Sequence, residues 1–178
     1  MGQEPSDLVL FFGRFHPLVL HLPIGFLVMA FALEILSRFS RFQSYKPAVG
    51  FVLLVAAALS IVTAGLGLML GQAGDYNPDL LSVHHWTGIA VAFFSCAAFV
   101  LRYLSRSSRQ LDRVYLLTLS LTMLLLAVAG HYGGSLTHGS DYLTQYMPDT
   151  LRKISGLPAK ERKPAPIITD INEAEIYA

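Results

Sequence analysis

AVGFVLLVAAALSIVTAGLGLMLG, residues 48–71, runs without one charged side chain, and its polar side chains are Ser60 and Thr63 alone. At about 1.5 Å rise per residue a helix of this length crosses a hydrocarbon core of roughly 30 Å. It is apolar all round, so it offers no polar face to water, as expected of a helix solvated by lipid.

Three more stretches of the same kind flank it: residues 17–36, 84–101 (or to 103) and 114–130. Each is about 17–24 residues long, within the range of a spanning helix. No ten-residue segment alternates with period 2, which argues against a transmembrane barrel. The expected fold class is all-α: an integral membrane four-helix up-down bundle with a short amphipathic helix and an extended C-terminal tail. The expected domains are an N-terminal segment over 1–15, a transmembrane domain over 16–139, and a segment over 140–178. In the last of these, residues 141–157 are read as the amphipathic helix and 158–178 as a tail laid on a partner or left in solvent.

Composition agrees. Hydrophobic residues make up 53% of the chain and charged ones 14%, against about 25% charged in an average soluble domain. A net charge of +1 with no basic patch excludes a nucleic-acid footprint. Cys96 is the single cysteine, so the chain holds no internal disulfide and no CxxCH attachment site for c-type haem. No basic residue precedes Arg14, so the first apolar segment is expected to be retained, not cleaved as a signal.

Loop charge sets the expected orientation. Arg38, Arg41 and Lys46 separate the first two spans; Arg102, Arg106, Arg109 and Arg113 separate the last two. The loop between the second and third carries Asp75 and Asp79 and no basic residue. The positive-inside rule then puts both basic loops in the cytoplasm and both termini in the periplasm of a bacterial inner membrane.

All six histidines fall at the outer end of this topology. His16 and His21 belong to the first span, His84 and His85 to the third, and His131 and His138 follow the fourth. Counting outward from Arg38, Arg102 and Arg113 places His21, His84 and His131 in one layer, roughly 25–27 Å from the cytoplasmic boundary. His16 and His138 lie further out. Ionisable residues at membrane depth are costly and usually mark a function, and imidazole is the commonest neutral ligand of transition metals. Histidines on different helices suit a macrocycle held between them, so the expected cofactor is haem b, one or two copies, on ligands drawn from His21, His84, His131, His16 and His138. His85 is expected to be a wet interfacial side chain. A three-histidine zinc or copper site is the less favoured chemistry, because no metal-ligand motif or carboxylate shares the layer. Gly65, Gly67 and Gly71 leave room for a flat ring, although the Gly67–Gly71 spacing also fits plain helix packing. The glycines of residues 130–139 are expected to break regular helix. Glu34 is expected to pair with Arg38 one turn on. No nucleophile, base and orienter stand together, so an electron carrier is favoured over a catalytic centre.

Three motifs look familiar. Residues 15–26, FHPLVLHLPIGF, resemble the opening of a family of bacterial four-helix membrane domains of unknown function. HHWTGIA (84–90) is similar to that family's His-Arg-Trp-Leu-Gly segment, and GHYGGSLTHG (130–139) to its closing signature. His85 stands where the family usually has arginine, and Thr87 where it has leucine. The resemblance implies a four-helix membrane fold, His16, His21, His84, His131 and His138 as its matching histidines, and an association with planctomycete-type cytochrome c domains. The function expected is that of an electron-transfer subunit exchanging electrons with a periplasmic c-type cytochrome or a larger respiratory or photosynthetic complex. Membrane-complex subunits and the lipid bilayer are then its partners, and a quinone is a further one. The alternative is a non-redox structural or assembly subunit whose tail clamps its neighbours.

Overall fold

The computed structural model describes residues 5–74, 76–105 and 108–158, and every regular element among them is helical. The N-terminal unit, residues 1–140, contains α1 (Asp7–Gly13), α2 (His16–Val19), α3 (His21–Leu36), a 3-10 turn (Ser40–Tyr45), α4 (Lys46–Leu70), α5 (Pro78–Leu104) and α6 (Arg109–His138). Four stretches are long and apolar enough to cross a membrane: Asp7–Leu36, Ser40–Leu70, Pro78–Leu104 and Arg109–His138. They form the four-helix membrane bundle that the apolar segments predict.

The first span is assembled from α1, α2 and α3. Pro17 and Pro23 each lack a backbone N–H, so the hydrogen-bond ladder is interrupted where the three short helices meet. Residues 7–13, expected as a segment outside the bundle, are helical and pack on α4: a Cβ on Gly13 would lie 2.7 Å from Leu70 N. Only glycine permits that approach. The third span begins at Pro78, six residues before the expected His84, because Asn77 accepts hydrogen bonds from the N–H groups of Asp79 and Leu80 and caps the helix there.

The largest departure is at the end of α6, which continues through Gly130, Gly133 and Gly134 to His138. A helical glycine costs about 1 kcal/mol relative to alanine. Each backbone group left unpaired in an apolar medium costs several kcal/mol. The helix therefore persists until Gly139, whose φ of 96° takes the chain out of it.

Leu27, Ala30, Leu53, Ala56, Ala98 and Leu119 fill the bundle interior, while Phe51, Phe93, Trp86, Leu117 and Leu124 face outward. Large exposed apolar side chains around the whole circumference suit lipid as solvent. At the arginine-rich end the interior is polar. Glu34, 1% exposed, accepts from Arg38 Nε at 3.0 Å and Nη2 at 2.8 Å, and from Tyr115 Oη at 3.0 Å. Arg102 Nε stands 3.5 Å from its second oxygen, and Arg102 Nη2 donates to Lys46 O at 3.0 Å. Arg38 also grips Asp112 with two donors, at 3.0 and 2.8 Å. The Asp112 carboxylate, followed by Glu34, raises the Arg38 guanidinium above its ordinary range. The i,i+4 pairing of Glu34 with Arg38 is thus one edge of a network that ties all four spans together.

The second unit covers residues 141–178, and its described part is a turn followed by α7 (Asp149–Ile154). The amphipathic helix expected over 141–157 is shorter because Pro148 disfavours helical backbone at the residue before it. Gly156, at φ 70°, ends α7, with Leu157 N donating to Arg152 O at 2.9 Å. The tail expected to strap a partner, beyond Pro158, lies outside the described residues.

Candidate cofactor site

Two histidines are held in the same way. His16 Nδ1 lies 3.0 Å from the carbonyl oxygen of Thr63 on α4. His84 Nδ1 lies 3.0 Å from that of Ala129 on α6. A carbonyl oxygen only accepts, so Nδ1 of each ring carries the proton and donates it. The hydrogen bonds that both rings make among the described residues run through Nδ1, which leaves Nε2 of each neutral imidazole with a lone pair.

A glycine makes each clip possible. Four residues beyond the accepting carbonyl stand Gly67 on α4 and Gly133 on α6. A Cβ on Gly67 would lie 2.9 Å from His16 Cε1, and one on Gly133 would lie 2.9 Å from His84 Cε1. Any larger residue would push the ring off its carbonyl. A third ring is seated similarly: a Cβ on Gly71 would lie 2.6 Å from His85 Cε1. Gly67 and Gly71, whose spacing suggests helix packing, therefore accept imidazoles.

The ring centres of His16 and His84 are 6.1 Å apart with planes at 81°, and His85 follows at 6.3 Å from His84. They border a cavity of about 500 Å³ at the end of the bundle opposite the arginines. His21 and His138 also line it. So do Gly88, Gly130 and Gly134, where an added Cβ would meet nothing within 4 Å. Apolar side chains, among them Leu20, Ile24, Ile89 and Leu126, complete the walls. His131 does not line the cavity; it is exposed, with its ring 5.4 Å from that of Tyr132. Of the layer expected from counting, the structure brings His21 and His84 to the cavity and leaves His131 outside. It sets His16 and His85 beside His84.

The donor set can be tested against a cofactor. A metal bound at about 2.0–2.1 Å by one nitrogen of each of two imidazoles would put the ring centres up to roughly 6.5 Å apart, and the 6.1 Å between those of His16 and His84 lies within that reach. A second requirement of a macrocycle is bare wall, and Gly88, Gly130 and Gly134 supply it. The volume lies within the roughly 300–1,000 Å³ usual for cofactor pockets. Among the described residues no group of three or more His, Cys, Asp or Glu side chains is gathered to hold a metal ion alone.

Sequence reading missed the Thr63 and Ala129 carbonyls. The signal for the carbonyls was the glycine four positions on, present twice.

A family model described as a predicted membrane protein (DUF2231) matches residues 14–142. No curated protein and no solved structure matches the chain.

Proposed function

The chain belongs to the DUF2231 family of predicted membrane proteins, and from that premise we propose that it is a membrane electron-transfer subunit holding haem b between His16 and His84. The observation that carries this reading is the matched pair of rings, each fixed through Nδ1–H to a backbone carbonyl, 6.1 Å apart beside a glycine-walled cavity. Hydrogen bonds of this kind fix the tautomer and ring orientation of a metal-binding histidine and raise its basicity. Haem supplies one-electron redox chemistry; the protein supplies ligands, orientation and a low-dielectric wall. His21, His85 and His138 line the same cavity and would serve as hydrogen-bond partners for propionates.

The arginine-rich end supports a cytoplasmic assignment for that end by the positive-inside rule. The cavity then lies at the periplasmic side of a bacterial inner membrane with both termini periplasmic. Electrons pass to or from a periplasmic c-type cytochrome, within a respiratory or photosynthetic complex.

The test is a reduced-minus-oxidised visible spectrum of the purified protein. Bands of b type, lost in His16→Ala and in His84→Ala, are the expected result. A folded, colourless and iron-free preparation after expression with ample haem would sink the reading.

A further inference from the structure

Ser60 and Thr63 line the cavity and are 4% and 9% exposed, yet among the described residues neither hydroxyl oxygen has a hydrogen-bond partner. Elsewhere in the bundle such hydroxyls close on their own helix: Thr87 on Val83 O, Ser95 on Val91 O, Thr122 on Thr118 O and Ser135 on His131 O. The same helical carbonyls are available on α4. A buried unsatisfied hydroxyl costs about 1–3 kcal/mol, and native proteins normally satisfy such groups with protein, water or ligand.

The two residues sit three positions apart on α4, so they share one face, about one turn deep. The corresponding face of α6 carries Leu126 and Ala129 at the cavity, so the inner end is polar on one side only. The nearby Nδ1 groups are committed to carbonyls, and a buried water needs two to four partners. A hydroxyl proton left over in apolar surroundings calls for an acceptor on the ligand itself.

We propose that the ring held in this cavity carries a carbonyl oxygen at its buried edge, hydrogen-bonded by Ser60 and Thr63. The chemistry is shared by two sources, a formyl-bearing porphyrin and a quinone. The inference rests on the cavity being a cofactor site; haem b has no ring carbonyl, so a ring of this kind would stand in its place, and the extracted ligand decides between the two readings.

The experiment compares the purified wild-type protein with Ser60→Ala/Thr63→Val, identifying the extracted ligand by mass and recording its carbonyl stretch by vibrational spectroscopy. A ring carbonyl whose stretch moves to higher frequency in the double variant is expected. If the extract is a formyl porphyrin or a quinone, that arm names the source; either one overturns the haem b reading and leaves this one standing, and only a quinone also removes the haem iron. A bound haem b with no ring carbonyl, and a spectrum identical in both proteins, overturns this inference while the haem reading survives. Should the protein purify empty, titration with a short-chain quinone and with a formyl-bearing haem decides: saturable binding of either, weakened about tenfold or more in the double variant, supports the carbonyl site, and the absence of saturation or of a difference with both refutes it. Thermal melting of the ligand-free proteins guards against misfolding. Deleting two unpaired buried hydroxyls is expected to leave the melting temperature unchanged or higher.

Discussion

Glu34 Oε2 and Arg102 Nε face each other at 3.5 Å at one end of the bundle, on the same two spans that bring His16 and His84 together at the other. His16 to Glu34 and His84 to Arg102 cover equal lengths of chain, about five helical turns or roughly 27 Å. Each histidine also leans on the following helix in the same manner, against a carbonyl four residues before a glycine. The bundle is thus two helical hairpins that repeat one plan, with a histidine pair and an ion pair closing its two ends.

The ion-pair end is expected to carry much of the stability. Removing one member of a buried pair strands the other, at about 3–5 kcal/mol. Glu34→Ala should therefore melt well below wild type in detergent. Tyr115→Phe deletes one hydrogen bond to the carboxylate and should cost about 1.5–3 kcal/mol. Wild-type melting of Glu34→Ala would refute the network's role.

His131→Ala is expected to leave a bound cofactor's visible spectrum unchanged, since that ring is exposed and outside the cavity. His21→Ala should keep the bands too, with a small shift, because His21 lines the cavity without taking part in the His16–His84 pair. Loss of the bands in His131→Ala would show that α6 turns in the loaded protein.

These two residues also mark how far the sequence could be read. Four spans, their order and the gathering of histidines at one end follow from hydropathy and loop charge, and the structure has them. The pairing of histidines was harder, because depth was counted from Arg38. That residue lies beyond the end of α3, where it curls back on Glu34 and Asp112. Glu34 is the residue level with Arg102, and counting from it puts His16, not His21, level with His84. The unbroken α6 was hidden for another reason. Glycine propensity is visible in sequence, whereas the penalty for unpaired backbone in lipid depends on the surroundings of the whole helix.

The neighbouring glycines of α6 should respond in opposite ways. A Cβ at Gly133 falls 2.9 Å from His84 Cε1, so Gly133→Ala should dislodge the ring from Ala129 O and lose the cofactor. Gly134 faces open cavity. Gly134→Ala should raise helix stability by about 1 kcal/mol while narrowing the wall against which a flat ring lies. The melting temperature of the empty protein and its cofactor content, measured on both variants, separate these effects. Equal cofactor retention in both would argue that the ring rests elsewhere.

Orientation can be read without any cofactor. In a Cys96→Ser background, Ser40→Cys sits in the turn at the arginine end and Gln72→Cys follows α4 at the histidine end. Ser40 opens the second span, Gln72 lies just beyond its end, and both are exposed, so a thiol at either meets water on whichever side it faces. With intact inner-membrane vesicles of known sidedness, a membrane-impermeant maleimide added to the periplasmic side should label Gln72→Cys and spare Ser40→Cys until detergent opens the bilayer. The reverse pattern would put the histidine cavity in the cytoplasm. That outcome would remove a periplasmic cytochrome from consideration as the direct partner, because the lone pairs of His16 and His84 would then stand a full membrane thickness away from it.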